Sequence, residues 1–280
     1  MPDKDIILSV RNLSVQFGRG AIPAVSHASF DLGAERLGIV GESGSGKSTL
    51  GRTIMRLLPP AARIEADTLD FEGEPLLQLR ERQLRRMRGN RMALIMQDPR
   101  YSLNPVLTVG QQVAEAVILH QETSGKAARE QAAAMLERVR ISDPQRTMQL
   151  YPHQISGGMG QRVMIAMMLL SRPRLVIADE PTSALDVGVR AEVLNLLDEL
   201  VRENNCALML ISHDIRMVAT FCQRILVMYQ GQIIETLERL EEARHPYTRG
   251  LIAAMPDPTR PVSRLQVLNR QAIRDWGRPA

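Results

Sequence analysis

The chain has 280 residues, 44% hydrophobic and 24% charged, which is enough apolar material for a substantial core without disulfides or metal and marks it as globular. The formal charge is only +4, Cys206 and Cys222 lack CxxC or ligand spacing, and no apolar run nears the roughly 20 residues that cross a bilayer. Disulfide-rich, structural-zinc and membrane-spanning classes therefore drop out, and 15 methionines against 3% aromatics predict a methionine-rich interior.

The opening "IILSVRNLSVQFGRGAIPAVSHASFDL" alternates in part and is broken by turn residues, which predicts antiparallel strands. The runs "RLGIV", "RLVIA" and "ALMLIS" each suit a strand buried on both faces of a parallel sheet. Directly after the first run comes "GESGSGKS", which matches G-x-x-x-x-G-K-[ST] between a strand and an amphipathic segment. Its glycines let successive backbone N–H groups turn inward around a polyphosphate, and the following helix offers the positive end of its dipole. The candidate phosphate site is thus Gly41, Glu42, Ser43, Gly44, Ser45, Gly46, Lys47, Ser48 and Thr49, with Lys47 reaching the β- and γ-phosphates and Ser48 coordinating Mg²⁺.

The arginine-rich "LRERQLRRMRGNR" reads first as a solvated helix face, with a nucleic-acid or lipid-facing patch as the alternative. From about Gln97 to Ile165 the pattern turns helical, notably in "KAAREQAAAMLERVR", which predicts a helical subdomain inserted into an α/β core. "RLVIADE" then places Asp179 and Glu180 at the C-terminal edge of a strand, where ligands of α/β proteins bind. Asp179 suits an outer contact to Mg²⁺ and its waters, and Glu180 suits the general base that polarises an attacking water. In "VGVRAEVLNLLDELVREN" the apolar residues keep a spacing of three to four, so one helix face packs on the sheet.

With "ISGGMGQR", "ADEPTSALD" and "LISHD" following in order, the chain resembles the ATP-binding cassette ATPases over about residues 6–235. The resemblance implies a P-loop NTPase (RecA-like) core with an N-terminal antiparallel β subdomain and an inserted α-helical subdomain. It implies a dimer of cassettes with two ATP molecules sandwiched between them. The signature residues Ser156, Gly157, Gly158 and Gln161 would then meet the partner's nucleotide, and Ser183, Ala184, Leu185 and Asp186 would form the D-loop. His213 would orient Glu180 and the water, Phe17 would stack on adenine, and Gln97 would bridge Mg²⁺ to the helical subdomain. Gly160 departs from the pattern, since many relatives carry a larger polar residue there.

"MQDPRYSLNPVLTVG", "SGGMGQRVMIAMMLL" and "HPYTRGL" look like the ATPases of the peptide, nickel and metallophore importers. That subfamily implies two transmembrane permease subunits docked near Arg100 and Tyr101, a second and non-identical ATP-binding subunit, and, indirectly, an extracytoplasmic solute-binding protein. The expected place is peripheral, on the cytoplasmic face of the inner membrane, with ATP and Mg²⁺ as cofactors, no iron–sulfur cluster and no nucleic acid. The reading divides the chain into an ATPase domain over 1–235, its helical subdomain at about 97–165, and a C-terminal extension over 236–280 that holds the HPYT segment. An exporter ATPase is the runner-up, because hydrolytic motifs are shared between directions of transport. A non-transport cassette is disfavoured by the short distance from Lys47 to Ser156 and by the single cassette, and a GTPase by the lack of N-K-x-D.

Overall fold

Alternation builds the first sheet. In the computed structural model, which describes residues 6–18, 20–255 and 273 apart from the side chains of Arg100, Tyr101 and Val187, strand β1 (Leu8–Phe17) buries Leu8, Val10, Leu13 and Val15. The step from Val10 to Leu13 breaks the two-residue period. The register with β2 (Val25–Leu32) shifts there, and Asn12 takes a positive φ of 53°, so a bulge returns Leu13 to the core face. After β3 (Arg36–Val40) and helix α1 (Lys47–Ile54), the sheet is completed by β4 (Ala62–Glu65), β5 (Thr68–Phe71) and β6 (Glu74–Pro75), in the order β2-β1-β5-β6 with β4 also on β1.

The chain then runs through α2 (Glu81–Met87), β7 (Met92–Ile95), α3 (Pro99–Ser102), α4 (Val109–Ile118), α5 (Gly125–Arg138), α6 (Pro144–Thr147), α7 (Gly157–Leu169), β8 (Leu175–Asp179) and α8 (Val187–Glu203). It closes with β9 (Ala207–Ser212), α9 (Ile215–Phe221), β10 (Arg224–Tyr229), β11 (Gln232–Leu237) and α10 (Pro246–Ala254). Two compact units result. One holds the described residues up to Leu77 and from Met209 onward; the other is Gln78–Leu208.

In the first unit β10 lies between β3, its parallel neighbour, and β11, its antiparallel one. All of β3 after Arg36 is buried, as expected for a strand covered on both faces. Gly38 is required there: a Cβ would come within 2.1 Å of Val218 Cγ1 on α9, so the helix sits directly on the strand. Asp214 caps α9 by accepting from the Met217 N–H at 3.0 Å.

In the second unit β7 and β8 pair in parallel, with Met92 opposite Leu175 and Ile95 opposite Ala178. Between them lie the helices α3 to α7 that the 97–165 pattern predicts. Thr108 caps α4 through a reciprocal box with Gln111, Ser124 caps α5, and Ser156 caps α7. Buried Gln112 on α4 accepts from the Asn104 N–H and donates to the Asn104 and Leu107 carbonyls, which pins the loop after α3. Arg138, Arg140 and Arg162 pair with Glu203, Glu199 and Glu192, tying α8 to its neighbours.

The arginine-rich segment becomes α2, with Leu84 and Met87 buried and Arg85 and Arg88 paired with Glu81, as a solvated helix face would be. Met55, Met87, Met92, Met135, Met164, Met209 and Met228 are buried, so the interior is rich in methionine. Cys206 and Cys222 are buried free thiols, and burial pushes Cys206 up to about 11. Among the described residues no helix is long and apolar enough to cross a membrane.

Burial also lowers two imidazoles, His120 and His245, below their usual 6.5. A folded-state value below the unfolded one means that the unfolded chain binds the proton more readily. Their contribution to stability is complete above pH 6.5 and is lost as pH falls through the lowered folded values. Calorimetry between pH 7 and pH 5 should show Tm falling, and the fall should shrink in His120→Gln; an equal fall in both proteins would exclude His120 as its source.

Candidate nucleotide site

The phosphate loop is built by crowding. Gly41 has φ +156 and a Cβ there would meet the Met228 carbonyl oxygen at 2.2 Å; Gly46 has φ +102 and a Cβ would meet the Ala24 carbonyl oxygen at 2.3 Å. A side chain at Gly46 would also need the left-handed conformation that glycine adopts without cost. Gly46 precedes α1, whose Leu50 and Ile54 are buried and anchor the helix. Ser43 and Gly44 are exposed, while Ser45 and Lys47 are 4% and 6% exposed.

Lys47 Nζ donates to the Gly41 carbonyl at 2.8 Å, the Glu42 carbonyl at 2.8 Å and Ser45 Oγ at 3.3 Å. A nearly buried ammonium thus has neutral dipoles among its partners, and a phosphate oxygen carrying a full negative charge outcompetes such dipoles. The loop is braced from later in the chain. The Gly231 N–H donates to the Ser45 carbonyl at 3.1 Å, and the Glu42 N–H donates to Tyr247 Oη at 2.7 Å. These braces escaped the sequence reading because no local pattern links residues 205 positions apart.

In the same unit Phe17 ends β1 at 41% exposure, so its ring lies at the surface. His213 follows buried β9 and is exposed, as a residue just past a strand end should be.

In the second unit, Asp179 closes β8 at 7% exposure and Glu180 follows, half-buried, with φ 51°. Ser183 N–H and Oγ both donate to the Glu180 carbonyl, at 3.2 and 3.1 Å, which folds the segment after it into a turn. Gln97 is exposed just beyond β7. Arg100 and Tyr101 fall in α3, but their side chains lie outside the described residues.

Ser156, Gly157 and Gly158 line a cavity of about 400 Å³ together with Ala184, Leu185 and Asp186, so the signature and D-loop segments share one concavity. At Gly158 a Cβ would come within 3.0 Å of Val189 Cγ1, so a larger residue needs that side chain to give way. Gly160 is buried against Pro99, whose Cγ would lie 3.3 Å from an added Cβ, so a larger residue needs that proline to move. Gln161 differs from its three companions. It is fully buried, with neither amide atom hydrogen-bonded, and does not line the cavity.

A glycine loop with a buried lysine, a helix starting at that loop and an acidic pair at a strand end define a P-loop nucleotide-binding protein. The profile of the ABC transporter family matches residues 25–183. A probable peptide ABC transporter ATP-binding protein of Sinorhizobium fredii is 47% identical over 92% of this chain and 79% of its own length. The dipeptide transport ATP-binding protein of Escherichia coli is 44% identical over 98% of this chain and 85% of its own. A solved dimeric ATP-binding cassette bound to ADP and Pi superposes with a TM-score of 0.73 at 28% identity, covering 82% of this chain and 98% of that one. The chain belongs to the ABC transporter family, as an ATP-hydrolysing cassette.

Proposed function

We propose that this chain hydrolyses ATP to drive import of small peptides through an ABC transporter. The observation that carries the reading is the 44% identity to a dipeptide transport protein over 98% of the chain, because it extends well beyond the 25–183 stretch that the whole family shares. The names of the relatives favour peptides over nickel or a metallophore as cargo. The partners are two permease subunits and a second, non-identical ATP-binding subunit, supplied by a solute-binding protein, and the chain sits on the cytoplasmic face of the membrane. The division into a 1–235 ATPase domain with an inserted helical subdomain and a 236–280 extension belongs to the same reading.

The loop 41–49 binds the triphosphate, with Lys47 opposing the β- and γ-phosphate charge, and Phe17 offers a ring face to adenine. Glu180 accepts a proton from the attacking water and His213 orients that carboxylate. Ser156, Gly157 and Gly158, on the α7 N-terminus, present backbone donors to the nucleotide of a second cassette, and Ser183, Ala184, Leu185 and Asp186 face that cassette as the D-loop. Gln161 supports α7 from inside, since its amide is sealed from the cavity. A nucleotide-bound Mg²⁺ needs only a few protein oxygens: the hydroxyl of Ser48 and the amide oxygen of Gln97 would hold it, and the carboxylate of Asp179 would make the outer contact to it and its waters, all hard donors of the kind it prefers. Bound there, it would supply charge neutralisation to the phosphates.

The test is copurification with the permease subunits, reconstitution in vesicles, and parallel uptake and ATPase assays. ATP-dependent accumulation of short peptides on the cytoplasmic side is expected, and outward movement, or a complex with two copies of this chain, would overturn the corresponding part of the reading. Docking through Arg100 and Tyr101 predicts that their double alanine variant loses most uptake while basal hydrolysis stays within about twofold, because permeases act by shifting open and closed populations. Full coupling in that variant would remove the docking role.

A further inference from the structure

The segment "HPYTRGL" lies outside the family-wide match and performs no step of hydrolysis. Its tyrosine is nonetheless the largest fully buried side chain among the described residues. Tyr247 packs its ring 4.4 Å from that of Tyr229, tilted by 39°. Its position is set from both sides. Pro246 opens α10, His245 Nδ1 accepts from the Tyr247 N–H at 3.1 Å, and the N–H groups of Arg244 and His245 donate to the Glu235 carboxylate of β11 at 2.7 and 3.2 Å.

The hydroxyl so placed accepts the Glu42 N–H at 2.7 Å. That N–H shares a peptide plane with the Gly41 carbonyl, and the Gly41 carbonyl accepts from Lys47 Nζ at 2.8 Å. A trans peptide is rigid, and its N–H and C=O point in opposite directions. Fixing the N–H therefore fixes the carbonyl that holds the lysine. Gly41 has no room to choose another arrangement by packing, because the Met228 carbonyl oxygen already occupies the space beside its Cα.

We propose that Tyr247 is a positioning residue for ATP binding: its hydroxyl orients the Gly41–Glu42 peptide and, through that peptide, the ammonium of Lys47. Burial pushes Tyr247 up to about 12, so the acceptor remains a neutral hydroxyl at every working pH. An HPYT segment thereby couples the start of the C-terminal region to the phosphate loop, and the tilted ring contact with Tyr229 keeps the hydroxyl in reach.

The experiment compares full-length wild type, Tyr247→Phe and Thr248→Val. Phe keeps the ring contact and loses only the hydroxyl. Thr248 is the matched control, since it is the next residue, is fully buried, and its Oγ1 has no hydrogen-bond partner. Titration with Mg-ATP should give Tyr247→Phe a Kd and a KM raised about threefold to tenfold, the size of one lost hydrogen bond, with kcat at saturation within about twofold. Hydrogen exchange in the nucleotide-free protein should show faster exchange at the Glu42 N–H. Thr248→Val should match wild type in all four readouts. Wild-type Kd in Tyr247→Phe, unchanged Glu42 protection, or an equal loss of affinity in Thr248→Val would each overturn the assignment. The inference rests on the 41–49 loop being the ATP site, and the two failures are distinguishable: if that loop is not the site, Lys47→Ala binds ATP as wild type does.

Discussion

Lys47→Ala is expected to lower ATP hydrolysis by at least about a hundredfold, the order of loss seen when a single charge-stabilising group is removed from a transition state. Lys47 is 6% exposed, and its ammonium already bridges the Gly41 and Glu42 carbonyls and Ser45 Oγ. In the variant those acceptors lose their donor, which costs about 1–3 kcal/mol if water cannot reach them. The exposed neighbours Ser43 and Gly44 leave a path for water, so the fold should survive. A steady-state ATPase assay beside circular dichroism separates the two effects. A folded variant that hydrolyses ATP at the wild-type rate would remove the phosphate loop from the chemistry.

Glu180→Gln is expected to keep ATP affinity while turnover drops by about 10² to 10⁴, the usual worth of a positioned general base. The amide reproduces the shape of the carboxylate but does not take up the proton of water. Glu180 is half-buried at the end of buried β8, and its backbone carbonyl, which the substitution keeps, accepts from Ser183 to hold the turn after it. Binding measured by titration and hydrolysis measured in single turnover check the split. Because cassettes close around ATP, size-exclusion chromatography should show the variant shifted towards dimer with ATP present. Wild-type turnover would remove Glu180 from the base role.

Local chemistry made much of this protein legible from its residue order. A glycine loop between a buried strand and a helix needs only neighbours in the chain, so GESGSGKS announced both its shape and its ligand. Buried strands such as RLGIV, RLVIA and ALMLIS announced themselves by unbroken apolar runs, and α5 and α8 by their spacing. The pair β10 and β11 escaped notice: β11 is largely half-exposed, its register with β10 is irregular, and no periodic signal survives that. The signature segment is legible as a motif, whereas the close approach of Val189 to Gly158 and of Pro99 to Gly160 is something no spacing reports.

Motif membership and residue role also separated. Gln161 belongs to the signature string and stands one helical turn after Gly157 and Gly158 on the same side of α7, yet it is fully buried and does not line their cavity. HPYT reads in sequence as a mark of the importer subfamily within a C-terminal extension, whereas its tyrosine is buried and bonded to the phosphate loop. The sequence by itself determined the nucleotide chemistry, because backbone conformation and charge at a loop follow from residues a few positions apart. Tertiary structure alone decided what braces that loop: a hydrogen bond between Glu42 and Tyr247 closes 205 residues of chain, and its partners are chosen by how β10, β11 and α10 pack, which local preference does not encode.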